Sequence, residues 1–320
     1  MNRRLMLGGL AVALAAATDA ATGAPLRDDD AALAAAWTTA RRYVPVSAGE
    51  VAVVEKGSGP AALFLHGFPL SSFQWRHALE RLSGARRCIA PDSLGLGFTR
   101  VKPGRSVAPD AQVGMLAELL DRLDAGPVDL VASDSGGAVA QLFAVAHPQR
   151  VRSILLTNCD AEPNSPPPAL LPVLDLARKG QFAEAWLAPW AKDKALARSP
   201  SGLGGLCYAN PANPSDAAVD QYLAPVTASR AAKDLVDAYA AALEPNPLAG
   251  IEAKLAHVKV PARIVWGMQD NIFDTAMADY LDRVLPGSTG VRRVPEGKLF
   301  WPEEYPEILA EEALRLWAKA

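Results

Sequence analysis

The residues best placed to do chemistry lie at Asp134-Ser135-Gly136-Gly137. They follow the apolar run Val128-Asp-Leu-Val-Ala-Ser133 and precede a helix-period stretch, so the chain reads strand, tight turn, helix. Such a turn forces one side chain outward at the end of a sheet, and its glycines let strand and helix approach closely. Two residues compete for that outward position. Asp134 is followed by one residue and then Gly136, with Ala132 two places before it. Ser135 fits the same spacing with Gly137, but then Ser133 stands where the pattern has glycine, the larger departure. A carboxylate there would attack carbon and form an ester, and a serine would be acylated. An aspartate that only caps the helix is the structural alternative.

Something must hold this turn, and the surrounding chain alternates strand and helix. Short apolar runs at Arg42–Val46, Glu50–Glu55, Ala61–His66, Arg87–Pro91, Val128–Ser133, Val151–Asn158, Ala262–Gly267 and Gly290–Val294 predict strands. Phe73–Leu82, Ala108–Leu123, Gly136–His147, Ala276–Leu285 and Glu303–Trp317 predict helices. In Ala108–Leu123 the apolar Val113, Leu116, Leu119, Leu120 and Leu123 recur at helical spacing and make one buried stripe. Apolar strands alternating with helices imply an α/β fold with a mostly parallel central sheet flanked by helices. The segment 161–248 breaks the alternation. It carries Asn164-Ser-Pro-Pro-Pro168, Asn210-Pro-Ala-Asn-Pro214 and Glu244-Pro-Asn-Pro247, with helical stretches at Leu171–Arg178, Phe182–Leu187 and Arg230–Leu243. The expected organisation is a core of residues 25–160 and 249–320 with a helical lid, 161–248, inserted over the carboxyl ends of the strands.

Composition sets the outer limits. Of the 320 residues, 50% are hydrophobic and 21% charged, which is globular and excludes disorder or a multi-span membrane protein. Thirty-two basic against 35 acidic residues, with no Lys/Arg-rich tract, exclude a nucleic-acid footprint. Cys88, Cys159 and Cys207 have no paired spacing, so neither a zinc site nor a disulfide framework is expected. Residues 1–24 read as a signal peptide: Met1-Asn-Arg-Arg4 is basic, Leu5 to Ala17 apolar, and small residues follow. Its Arg3-Arg4 start resembles a twin-arginine signal. The expectation is an exported protein, periplasmic or secreted, without stable membrane association after cleavage.

Four segments in order, Phe64-Leu-His-Gly-Phe-Pro69, Ala90-Pro-Asp-Ser-Leu-Gly-Leu-Gly97, Asp134-Ser-Gly-Gly137 and Trp266-Gly-Met-Gln-Asp270, resemble the α/β-hydrolase superfamily over residues 42 to 318. An aspartate at the elbow resembles the epoxide hydrolase and haloalkane dehalogenase branch, in which the carboxylate forms an ester that histidine-activated water hydrolyses. The resemblance implies a small-molecule substrate and no cofactor. It assigns Asp134 as nucleophile, the backbone N–H groups of Phe68 and Ser135 as oxyanion hole, and Asp270 as the acid that orients the base. Asp160, at the end of the strand after the elbow, is a second possible acid. His66, Trp75, Tyr208, Tyr222, Tyr239 and Trp301 join Asp160 as candidate pocket residues, the three tyrosines as candidate ring-opening donors.

The pattern departs at the base. All four histidines, at 66, 77, 147 and 257, precede Asp270, and the loop Pro295-Glu-Gly-Lys298 carries lysine where the family has histidine. A lysine beside carboxylates stays charged, so Lys298 is expected to pair with a carboxylate or bind an anionic substrate group. An ester on Asp134 would then be long-lived. Ser135 and Phe68 also stand where dehalogenases carry halide-holding Trp and Asn. The readings left are an epoxide hydrolase- or dehalogenase-type enzyme with an atypical triad; a serine esterase or lactonase using Ser135; and a lyase, isomerase, cyclase or silent binding protein on the same fold.

Overall fold

The computed structural model describes residues 30–320; the expected signal peptide lies outside the described residues. The strands are β1 (Arg42–Val46), β2 (Gly49–Lys56), β3 (Ala61–Leu65), β4 (Arg87–Pro91), β5 (Arg100–Val101), β6 (Val128–Asp134), β7 (Val151–Cys159), β8 (Ala262–Gly267) and β9 (Ser288–Val294). They form one sheet in the order β1-β2-β4-β3-β6-β7-β8-β9, with β5 alongside β2. Pairing is antiparallel at the β1–β2–β4 end and parallel from β4 through β9. The parallel strands read as unbroken apolar runs because both faces are covered. Leu63, Phe64, Leu130, Val131, Leu155, Leu156, Ile264 and Val265 are all buried. Helices Pro109–Arg122 and Ser135–Ala146 pack together against the sheet, as do Arg76–Leu82 and Pro306–Trp317.

Proline shapes two helix starts. The stretch 303–317 divides into Trp301–Glu304 and Pro306–Trp317. Pro306 drives Tyr305 out of helical geometry (φ −127°, ψ 56°) and then opens the second helix at its first position. The stretch 73–82 becomes a tight turn, Ser72–Trp75, followed by the helix Arg76–Leu82. The Ala-rich helix Asp30–Ala40, which packs on the helix Asp216–Thr227, had no strong periodicity to announce it.

The chain between β7 and β8 is helical, including Leu171–Arg178, Leu203–Cys207, Asp216–Thr227 and Arg230–Ala241. A buried polar cluster ties it to the core. Arg76 donates to Asp30 Oδ1 and Oδ2 at 2.7 and 2.9 Å, to Glu303 Oε2 at 2.6 Å and to the Tyr222 hydroxyl at 3.0 Å. The Tyr208 and Tyr222 hydroxyls donate to Glu303 at 2.7 and 2.8 Å. Each buried charge here has an opposite charge and a hydrogen bond, as burial demands. At the sheet edges, β1 carries Pro45 and β9 carries the exposed Arg292 and Arg293.

Candidate active site

β6 ends on Asp134, and the helix Ser135–Ala146 starts on the next residue. Asp134 sits at φ 57°, ψ −136°, a conformation a side-chain-bearing residue holds only under constraint, at about 1–3 kcal/mol. Ser135 is already helical. The turn can form because its neighbours lack side chains. A Cβ on Gly67 would lie 2.6 Å from Asp134 Cβ, and one on Gly136 would lie 2.6 Å from the Leu65 and His66 carbonyl oxygens.

The Phe68 N–H, at 3.0 Å, and the Ser135 N–H both donate to Oδ1 of Asp134. The predicted oxyanion-hole donors therefore converge on the carboxylate itself, and one of its oxygens is fixed. Burial pushes the carboxyl up to about 6, against the lowering effect of the two N–H groups. At neutral pH it is ionised.

Asp134, Ser135, Phe68 and Asp160 line a cavity of about 80 Å³, walled mainly by apolar residues of the helical insertion such as Val173, Phe182, Trp186 and Trp190. That is about half the ~150 Å³ of an engineered cavity that holds benzene. Asp160 follows Cys159, the Cα partner of Asp134 across β6 and β7. The Ser165 hydroxyl donates to Asp160 Oδ1 at 2.8 Å. Burial first, then the charge of Asp134, pushes Asp160 up to about 7.

Asp270 lies beyond β8, outside the cavity lining. Asn158 Nδ2 donates to its Oδ2 and the Ile272 N–H to its Oδ1, both at 2.8 Å, and burial pushes it up to about 6. Asn158 escaped the sequence reading, although a polar residue inside the apolar run of β7 was its signal. Its Oδ1 also accepts from Trp301 Nε1 at 3.0 Å and from the Gly267 N–H at 2.6 Å, so it fixes the end of β8.

Several expected residues face elsewhere. Lys298 makes no ion pair among the described residues. Its ammonium donates to the Gly205 carbonyl at 2.8 Å, and the next residue, Leu299, lines the cavity instead. His66 is buried: its Nε2 accepts from the Ser93 N–H at 3.0 Å, so Nδ1 bears the proton and meets the Gly67 carbonyl at 2.9 Å. It braces two loops. Trp75 is buried against Phe64, and Trp301 is held by Asn158. Tyr208 and Tyr222 turn to Glu303, because a buried phenol O–H needs an acceptor and that carboxylate supplies one. Tyr239 comes nearest. Its ring stacks on Phe68 at 5.6 Å and its hydroxyl donates to Ser135 Oγ at 2.9 Å, one layer behind the cavity wall. Among the described residues no cluster of His, Cys, Asp or Glu forms a metal site.

A mostly parallel sheet that delivers a strained strand-end residue into a pocket roofed by a helical insertion is the build of an α/β-hydrolase. The alpha/beta hydrolase fold family matches residues 60–304, and the chain belongs to it. It is 26% identical to haloalkane dehalogenase 2 of Mycobacterium tuberculosis over 273 residues, 84% of this chain and 92% of that protein. It is 44% identical to epoxide hydrolase 2 of Siraitia grosvenorii over 105 residues, 32% of this chain and 33% of that protein. Among solved structures, the haloalkane dehalogenase DbeA from Bradyrhizobium elkani shares the fold with a TM-score of 0.71 at 24% identity, covering 88% of this chain and 99% of that one. An alpha/beta hydrolase fold protein from Burkholderia ambifaria gives 0.74 at 23%, covering 86% and 97%. The curated relatives thus include haloalkane dehalogenases and epoxide hydrolases, and also a 2-hydroxy-6-oxo-2,4-heptadienoate hydrolase of Pseudomonas putida, 39% identical over 111 residues, 35% of this chain and 38% of that protein.

Proposed function

We propose that the protein is an epoxide hydrolase- or haloalkane dehalogenase-type enzyme that attacks a small organic electrophile with Asp134. The observation that carries this reading is a carboxylate with Oδ1 clamped by two N–H groups at the wall of an apolar cavity. An ionised carboxylate needs no base to attack carbon. As the bond from Oδ2 to carbon forms, the bond from that carbon to halogen or epoxide oxygen breaks, and the leaving atom takes its electron pair. Oδ1 then becomes the carbonyl oxygen of the ester. Water adding at Cγ places negative charge on that atom, where the Phe68 and Ser135 N–H groups already stand. The relatives' names, haloalkane dehalogenase and epoxide hydrolase, accord with this chemistry.

The test uses 1,2-epoxybutane and 1-bromobutane, with product analysis and intact-mass spectrometry. Asp134→Ala is expected to abolish both turnover and any alkyl label on the protein. Ser135→Ala, which keeps its backbone N–H, is expected to lose far less. The reverse ranking would make Ser135 the nucleophile.

A further inference from the structure

We infer that Asp160 is the proton donor and acceptor of this site and that the substrate it serves is an epoxide. The inference rests on Asp134 being the nucleophile. Ester hydrolysis needs a group that takes a proton from water, and no histidine lines the cavity. Lys298 is tied to Gly205, and both oxygens of Asp270 are engaged by Asn158 and Ile272. Among the described residues lining the cavity, the titratable side chains are Asp134, Asp160 and Cys207, and burial pushes the Cys207 thiol up and keeps it protonated. Asp160 remains. Register pairs Asp134 with Cys159, the residue before Asp160, both carboxyls line the same cavity, and the Ser165 hydroxyl fixes Asp160 Oδ1.

Two neighbouring buried carboxyls resist double ionisation, and the Asp134 carboxylate is held by two N–H donors whereas Asp160 has the Ser165 hydroxyl. The resting proton therefore sits on Asp160 while Asp134 is ionised. The titratable groups around Asp160 are Asp134 from β6, Cys159 beside it and Tyr239 from the insertion. Burial raises Cys159 and Tyr239, so both stay neutral.

A proton-bearing carboxyl beside a nucleophilic one suits ring opening. As Asp134 Oδ2 bonds to an epoxide carbon, the ring C–O bond breaks and the oxygen takes the Asp160 proton, leaving a hydroxyalkyl ester and an Asp160 carboxylate. Water then adds to Asp134 Cγ and gives its proton to Asp160. Collapse breaks the bond from Cγ to the alkyl-bearing oxygen, and the departing alkoxide takes the proton of the re-formed Asp134 carboxyl. The diol leaves, Asp134 is again ionised and Asp160 again protonated, so the cycle closes on epoxide plus water. An alkyl halide uses no proton in the first step, so the Asp160 proton has no role there, and Asp160 could accept water's proton only after first releasing its own to solvent.

The test gives wild type, Asp160→Asn, Ser165→Ala and Asp134→Asn the same two probes, 1,2-epoxybutane and 1-bromobutane, with thermal melts to confirm folding. Wild type is expected to form butanediol without accumulating adduct. Asp160→Asn is expected to lose about 10²-fold or more in diol formation and to retain a butyl ester on Asp134 after 1-bromobutane, located by peptide mapping. Ser165→Ala removes a donor to the carboxylate and is expected to shift the pH profile of diol formation upward. Wild-type turnover by Asp160→Asn, or an epoxide adduct accumulating on the wild type, overturns the role of Asp160. Diol formation by Asp134→Asn instead overturns the nucleophile reading beneath it.

Discussion

Asp134 and Asp160 each cost the folded chain stability when ionised, because both carboxyls titrate above their ordinary value of 3.8, at about 6 and about 7. The folded state therefore binds these protons more tightly than the unfolded chain does. The resulting stabilisation is complete below about pH 4 and is lost as pH rises through 6 to 7. Asp160→Asn keeps an acceptor for Ser165 and never ionises. It is expected to melt a few °C above the wild type at pH 8, with the gain fading as pH falls toward 4, in thermal melts across that range. A variant equally stable at every pH would mean that the Asp160 carboxylate is well solvated. Asp30 runs the opposite way: its hydrogen bonds with His77, Arg76 and Ser215 and the Arg76 charge overcome burial and hold it far below the usual carboxylate range. Its contribution is present above about pH 4 and falls away only in strong acid.

At the scale of elements, the helical insertion is fastened through Glu303, which accepts from Arg76 of one core helix and from Tyr208 and Tyr222 of the insertion. Arg76→Met would leave Glu303 and Asp30 buried without their guanidinium. Breaking a buried pair in this way costs about 3–5 kcal/mol, measurable by urea denaturation at pH 7. Adding Glu303→Gln is expected to return part of that loss. The strands that carry the site were legible because each is a short apolar run ended by a turn residue, and β6 ends one residue past its predicted Ser133, on Asp134. Which way a side chain points was not legible. Tyr208, Tyr222 and Trp301 carry no mark in the sequence that tells a cavity from a buried acceptor, and those acceptors, Glu303 and Asn158, are distant along the chain. The loop holding Lys298 was placed correctly after the last strand, but its backbone presents Leu299 to the cavity. Asp160 was legible as a strand-end carboxylate; its proton affinity depends first on its burial and then on the charge of Asp134, and only the fold shows either.

At the scale of the whole molecule, parallel pairing from β4 to β9 brings the ends of β6, β7 and β8 to one side, which is why residues 134, 160 and 270, far apart in sequence, belong to one neighbourhood. The same open sheet has two rims. Among the described residues β1 pairs only with β2 and carries Pro45, which has no N–H to offer, and β9 pairs only with β8. An unpaired strand rim is a template on which a second chain can add its own strand, and natural proteins guard such rims with proline and charge. On β9 the guard is Arg292 and Arg293, between the apolar Val291 and Val294. Replacing both by valine would leave four consecutive valines on that rim, at the end of the sheet farthest from the proline-bearing strand. Light scattering should then reveal concentration-dependent aggregates in the double variant and none in the wild type. The two arginines would thus act as a solubility device, keeping neighbouring copies from extending the sheet.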